Sequence, residues 1–341
     1  MGKPPRRKDF RGETMPRIIT TLAAIAIAAL ATAPALAQSA AQWPDRPVRL
    51  LVPVGAGGAA DTLSRNLSNG FAQFANGQPL IVENRPGAGG AIAAAAVARE
   101  KPDGYTLFLA EVGPNAIAHK LSRNLPYDPN TAFTPIIHAA NLPAIVMIRP
   151  SLPYKTLGEF IAAAKQQPGK FNYASAGPGN WTHLFMAYLN SQAGIDQVNV
   201  IYRSGAEMLT SLLKDEADTA IITVSTALGQ IREGKVRALA GVSMQPMKQL
   251  PDVPPVGRTI PGFDVKVWHG IVGPAGMDPA LTARINGIFN QVLQVPAVRQ
   301  QITESQAADI VGGSPADFDA FIKGELKRWP DVVAAAGIKP E

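Results

Sequence analysis

The stretch VPVGAGGAAD, residues 52–61, puts glycine and alanine where an apolar run ends and an acid begins. So little side chain after a strand-like segment means that something approaches the backbone: a nucleotide, another part of the protein, or a small anion. Two other runs end the same way, at Gly87-Ala88-Gly89-Gly90 and at Gly177-Pro178-Gly179. Amides at the start of a helix form a ready anion site. Their N–H groups have no partner within the helix, and the summed peptide dipoles add partial positive charge. The turns at 55–58 and 177–180 are therefore the candidate anion-binding elements, one in each of two α/β units. Facing each other, they would grip a small acid from both sides. At 87–90, tight geometry and helix–sheet packing account for the glycines equally well.

Other chemistries find few residues. Gly55-x-Gly57-x-x-Ala60 fits the loose dinucleotide pattern, with Glu83 at the end of the next strand. Against it stand the export signal described below, the recurrence of bare glycine turns elsewhere, and the absence of Tyr-x-x-x-Lys or Gly-x-Ser-x-Gly. No cysteine is present, which excludes disulfides, thiol nucleophiles and thiolate metal sites. The four histidines, His119, His138, His183 and His269, include no i,i+4 pair. Neither a metal nor a cofactor is expected. Asp61, at a helix start, reads as a capping acid, with contact to a ligand ammonium as the sharper alternative. His183 reads as a hydrogen-bonded group orienting the 175–180 loop. Tyr105 and Trp268 read as core.

The elements that must position these residues alternate. Strands are expected at 48–54, 79–85 and 106–112, with helices at 61–75 and 91–100 between them, a βαβαβ pattern that predicts a parallel sheet. A strand at 141–150 leaves this unit. The second unit follows, with strands at 171–176, 217–224 and 236–243 and helices opened by Thr156-Leu157-Gly158-Glu159 and Ser204-Gly205-Ala206-Glu207, both capping boxes. Asp278-Pro279 and Ser314-Pro315 start the last two helices.

The first 37 residues read as a secretory signal peptide: a basic start, an apolar run from about Ile18 to Leu30, and an Ala35-Leu36-Ala37 cleavage site. Met15 is an alternative start. Residues 1–37 hold six basic and two acidic side chains, a net +4, which leaves +2 of the full chain's +6 for the mature protein. The high isoelectric point thus belongs largely to the leader, and nucleic acid is not an expected partner.

Several segments carry a resemblance. WPDRPVRLLVPVGAGGAADTLSR, VENRPGAGGAIAAAAVA, PDGYTL, LPYDP, FNYASAGPGNWTHL, LPDVPPV and RWPDVVAAAGIKPE, in this order over the mature chain, resemble the extracytoplasmic substrate-binding receptors of tripartite tricarboxylate transporters, the Bug or TctC-like family. The resemblance implies an α/β fold of the periplasmic-binding-protein type II kind, two lobes with a ligand cleft between them. Lobe 1 would comprise 38–142 and 264–341, and lobe 2 would comprise 143–263. It implies a monomeric, non-enzymatic periplasmic receptor that carries a small carboxylate to membrane permease subunits. A ligand-sensing partner of a two-component system and an exported α/β enzyme are the rival readings. By position, the first ligand loop carries Val54, Gly57, Gly58, Ala59 and Asp61. The second carries Ser175, Ala176, Gly177, Gly179, Asn180 and His183. Asn115, Tyr202 and Thr223 complete the cleft. The chain departs from the family pattern at Val54, Ala59, Asn180 and Trp181. With fewer hydroxyls and an added Trp, an aromatic or less polar acid becomes a candidate ligand if Trp181 turns inward.

Overall fold

The computed structural model describes residues 1–2, 42–122, 124–244 and 246–335. The signal-peptide reading falls on residues outside these, as does the end of the RWPDVVAAAGIKPE segment. The chain divides into Met1–Gln42 and Trp43–Glu341, and the fold below is that of the second unit.

Two mixed sheets organise it. The first has the order β11-β4-β10-β3-β1-β2, built from β1 (Val48–Val52), β2 (Leu80–Asn84), β3 (Thr106–Glu111), β4 (Phe133–Leu142), β10 (Val267–Pro274) and β11 (Asp309–Gly312). The second has the order β7-β6-β8-β5-β9, built from β5 (Ala144–Ile148), β6 (Asn172–Ser175), β7 (Val198–Ile201), β8 (Thr219–Thr223) and β9 (Arg237–Gly241). Strand β3 reads TLFLAE and is buried at every position, as expected where helices cover both faces of a sheet.

The expected parallel sheet is only partly present. β1 runs parallel to β2 and β3, and β6 runs parallel to β7 and β8. β10, however, pairs antiparallel with both β3 and β4, and β5 pairs antiparallel with β8 and β9. The chain leaves the first sheet after β4, turns at Pro143 into β5, and returns from β9 through residues 242–266 into β10. Strands that enter a sheet from the other half run against its βαβ strands. The strand expected at 141–150 is β5 at Ala144–Ile148, while β4 at Phe133–Leu142, which ends inside that range, was not expected.

Among the described residues, eight α-helices of eight residues or more flank the sheets: α1 (Ala59–Phe71), α2 (Ala91–Ala98), α3 (Leu157–Gln166), α4 (Trp181–Ala193), α5 (Gly205–Leu213), α6 (Val224–Arg232), α7 (Pro279–Gln294) and α8 (Pro315–Ala335). Both capping boxes form. Glu159 N donates to Thr156 Oγ1 at 3.2 Å, and Glu207 N donates to Ser204 Oγ at 3.3 Å. The Asp278 carboxylate caps α7 through Ala280 N and Leu281 N. Trp268 is fully buried, as expected. Tyr105 is not core: it lies half-buried, its hydroxyl donating to Asp45 at 2.6 Å with the Arg46 guanidinium over its ring. A phenol near the surface keeps its polar end in contact with polar partners.

α8 packs on the first sheet through Phe318, which leaves no room at Gly270 of β10. A methyl there would lie 2.2 Å from Phe318 Cζ and 2.7 Å from the Ile137 carbonyl oxygen. Gly270→Ala is expected to cost about 1–3 kcal/mol by overpacking, read as a lower urea midpoint; an unchanged midpoint would contradict this packing.

Candidate functional site

Four helix N-termini converge on one cavity between the two sheets. Its lining comprises Gly58, Ala59 and Ala60 at the start of α1, Asn180, Trp181 and Thr182 at the start of α4, Gly205 of α5, and Thr223 and Thr226 at the start of α6. Val54, Glu111, Ala176, Ile222 and His269 complete it, around a space of about 40 Å³. α4 and α5 are capped by side chains: the Asn180 Oδ1 accepts from Thr182 N, and Ser204 Oγ accepts from Glu207 N. α1 and α6 have no side-chain cap hydrogen bond. At α6 the first amide, Val224 N, already donates to the Pro143 carbonyl at 2.9 Å, so the first amides of α1 and the following ones of α6 are the donors a ligand can reach. A second cavity of about 490 Å³ adjoins the first and shares Val54, Ala176 and Asn180 with it. It is further lined by the 86–90 turn, Gly177, Pro178, Tyr202, Arg203 and Glu207.

Bare glycine lets the two halves meet. Gly55 N donates to the Arg203 carbonyl at 3.2 Å, and an added methyl on Gly58 would sit 3.8 Å from Gly205 N. A methyl on Gly89 would come within 2.3 Å of the Pro178 carbonyl oxygen, and one on Gly113 within 2.5 Å of the Gly179 carbonyl oxygen. At 87–90 another part of the protein approaches the backbone, and the turn also lines the larger cavity. Gly89 also has φ of +60°, a region that glycine adopts without strain.

The expected site residues separate into two groups. Val54, Gly58, Ala59, Ala176, Gly177, Asn180, Tyr202 and Thr223 line the two cavities. The other six do not. Gly57, with φ of +85°, donates its N–H to Asp61 Oδ2 at 3.1 Å. The buried Asp61 also accepts from Arg65 and Asn84, so its carboxylate braces the first loop. Ser175 Oγ accepts from Gly177 N and donates to Asn199. Asn115 is buried and accepts from Glu111 N. Gly179 faces a separate groove beside α2. His183 stacks on Tyr173, and its neighbour Thr182 braces the 175–180 loop, with Ala176 N donating to Thr182 Oγ1 at 2.8 Å. The amides expected to be free in this loop are committed within it, since Ala176, Gly177 and Asn180 all donate locally. Trp181 does turn inward and lines the smaller cavity, with Phe185 against it at 5.4 Å between ring centroids.

Glu111 and His269 were not anticipated. The sequence signal was an acid at the end of an otherwise apolar strand, TLFLAE, where open α/β sheets place their ligands.

Family comparison accords with this geometry. Residues 63–338 match the model of the TctC family, the tripartite tricarboxylate transporter family receptors. The chain belongs to this family. BugT of Bordetella pertussis is 31% identical over 303 residues, covering 88% of this chain and 92% of BugT. Two solved TctC-like structures from Rhodopseudomonas palustris superpose closely. Rpa4515 with adipate has a TM-score of 0.83 and 29% identity, covering 88% of this chain and 100% of that one. MatC with bound malate has a TM-score of 0.81 and 30% identity, covering 85% and 100%. The fold is that of these carboxylate-bound receptors. Among the described residues, no group of three or more metal-ligating side chains occurs, and no helix is long and apolar enough to cross a membrane.

In this TctC receptor, burial acts to raise the Asp61 carboxyl, but the hydrogen bonds from Arg65, Gly57 and Asn84 outweigh it and hold the group below the usual carboxylate range. A carboxyl lowered on folding stabilises the protein fully above its unfolded value of about 3.9 and loses that stabilisation as pH falls through the folded value. Asp61→Ala is expected to cost about 1–3 kcal/mol at pH 7, and the gap to wild type should narrow on acidification below about pH 4. A gap that stays constant with pH would contradict the bracing role.

Proposed function

We propose that this chain is a periplasmic solute-binding receptor that captures a small carboxylate between two lobes and delivers it to a tripartite tricarboxylate permease. The observation that carries the proposal is the convergence of helix N-termini from both sheets on one cavity whose lining, among the described residues, includes no Lys or Arg. Each terminus contributes partial positive charge, and two of the four leave their amides without a side-chain cap. A carboxylate bridging α1 with α5 and α6 offsets the repulsion between these like-signed ends. Rpa4515 and MatC, which hold adipate and malate, support a carboxylate as the ligand class.

On this reading lobe 1 is 38–142 with 264–341 and lobe 2 is 143–263, and the two connections at Pro143 and near 263 act as the hinge. Val54, Gly58, Ala59, Ala176, Gly177, Asn180, Tyr202 and Thr223 contact the ligand or its waters. Gly57, Asp61, Asn115, Ser175, Gly179 and His183 shape the loops behind them. The inner cavity is far smaller than the roughly 300 Å³ of an ordinary metabolite site. Entry therefore requires the lobes to part, and the closed form is favoured only by a ligand that contacts both better when closed. The leader at 1–37 would export the chain, which acts as a monomer and performs no chemistry on its ligand.

Two variants of purified 38–341 test this in a thermal-shift screen against aliphatic and aromatic acids. Binding to the folded state raises the melting temperature by mass action. Gly58→Glu places a negative charge at the uncapped start of α1 and is expected to abolish every shift while the ligand-free protein still melts cooperatively. Gly113→Ala sets a methyl against the Gly179 carbonyl only where the halves meet, so it should weaken binding at least about tenfold with little change in ligand-free stability. Wild-type shifts in either variant would contradict the assigned cleft.

A further inference from the structure

A row of buried aromatic rings leads out of the cleft and crosses from one half to the other. Trp181, which lines the inner cavity at the start of α4, lies against Phe185 one turn on, with 5.4 Å between ring centroids. Phe185 in turn stacks on Trp329 of α8, with centroids 5.5 Å apart and ring planes within 4°. α4 packs on β6 and β8 of the second sheet, whereas α8 packs on β4 of the first, so this stack spans the junction. The Trp329 ring is held in place: it is fully buried, and its Nε1 donates to Glu325 Oε2 at 2.9 Å. The same oxygen accepts from Trp268 Nε1 at 3.0 Å. Trp268 belongs to β10, and its neighbour His269, on the opposite face of that strand, lines the inner cavity. Two walls of the cavity, Trp181 and His269, are thus joined by one chain through Phe185, Trp329, Glu325 and Trp268.

We infer that Trp329 is a positioning residue for the cleft: by holding Phe185 it sets how far Trp181 reaches into the inner cavity, and so the bulk of the acid the receptor admits. Trp329 itself lines neither cavity. The inference rests on the receptor reading above and adds what fixes the size of that same site. Its physical basis is close packing. Large buried rings in contact leave no slack, so a shift at one is passed to the next. The hydrogen bond to Glu325 fixes the plane of the Trp329 ring, and the parallel stack carries that plane to Phe185. Removing the Trp329 ring leaves a void beside Phe185. Phe185 relaxes into the void, Trp181 follows, and the inner cavity widens.

Calorimetric titration of the wild-type receptor, Trp329→Leu, Trp329→Phe and Phe185→Leu with acids that differ only in bulk tests the inference. The probes are succinate against phenylsuccinate and propionate against phenylpropionate, so that each pair carries the same carboxylates. In Trp329→Leu the affinity for the phenyl-bearing acid relative to its parent is expected to rise at least about fivefold over the wild-type ratio in at least one pair. Phe185→Leu breaks the stack from the other side and should move the ratio the same way. Trp329→Phe keeps a stacking ring, and its ratio should stay within about twofold of wild type. Equal weakening of both acids in the two Leu variants, or an unchanged ratio, overturns the inference and leaves the receptor reading standing, because a loss of stability alone affects both acids alike. A ratio moved as far by Trp329→Phe as by Trp329→Leu also overturns it. Failure of every acid to bind the wild type overturns both. Should Trp329→Leu not fold, Phe185→Leu decides the matter.

Discussion

Like-signed helix ends do not gather in one place without cause. α1, α4, α5 and α6 all present their N-termini to a cavity of about 40 Å³, and each end carries roughly half a positive charge. Two of these ends, α4 and α5, are quieted by Asn180 and Ser204. The other two are not, and they belong to different sheets. A negative charge between them offsets the repulsion of these ends. Glycine at 55, 89 and 113 follows from the close approach of the two halves. The backbone of one half must reach the backbone of the other, and a Cβ at Gly89 or Gly113 would strike carbonyl oxygens across the gap.

The remaining site residues hold this geometry. Asp61 fixes the first loop through Gly57, Arg65 and Asn84, and Thr182 with Ser175 fixes the second. Apart from Thr182, which also lines the cavity, these residues lie behind it. They order the loops before a ligand arrives, which reduces the entropy lost on binding. Asn180 joins the two levels, since one amide caps α4 and reaches Glu111 in the opposite half.

Much of this was legible in the residues. The alternation of apolar strands with helices, the capping boxes at Thr156 and Ser204, and the glycine turns all have local causes, and each formed where its local chemistry indicated. What the sequence hid depended on distant pairing. The β4 segment FTPIIHAANL carries a Pro and a His, so its pattern is weak; its place between β10 and β11 is set by strands more than a hundred residues away. β11 is only four residues long. Glu111 and His269 become neighbours solely through the antiparallel register of β3 and β10. The free amides also moved: the 175–180 loop satisfies its own donors through Ser175 and Thr182, side chains whose reach no spacing rule reveals.

The most direct test is a crystal structure of the receptor with its tightest-binding acid. Ligand carboxylate oxygens are expected about 2.8–3.0 Å from main-chain amides at the start of α1 and from amides or hydroxyls of α5 and α6, with both halves contributing. An acid held by one half alone, or lodged in the groove between α2 and Pro178, would contradict the account.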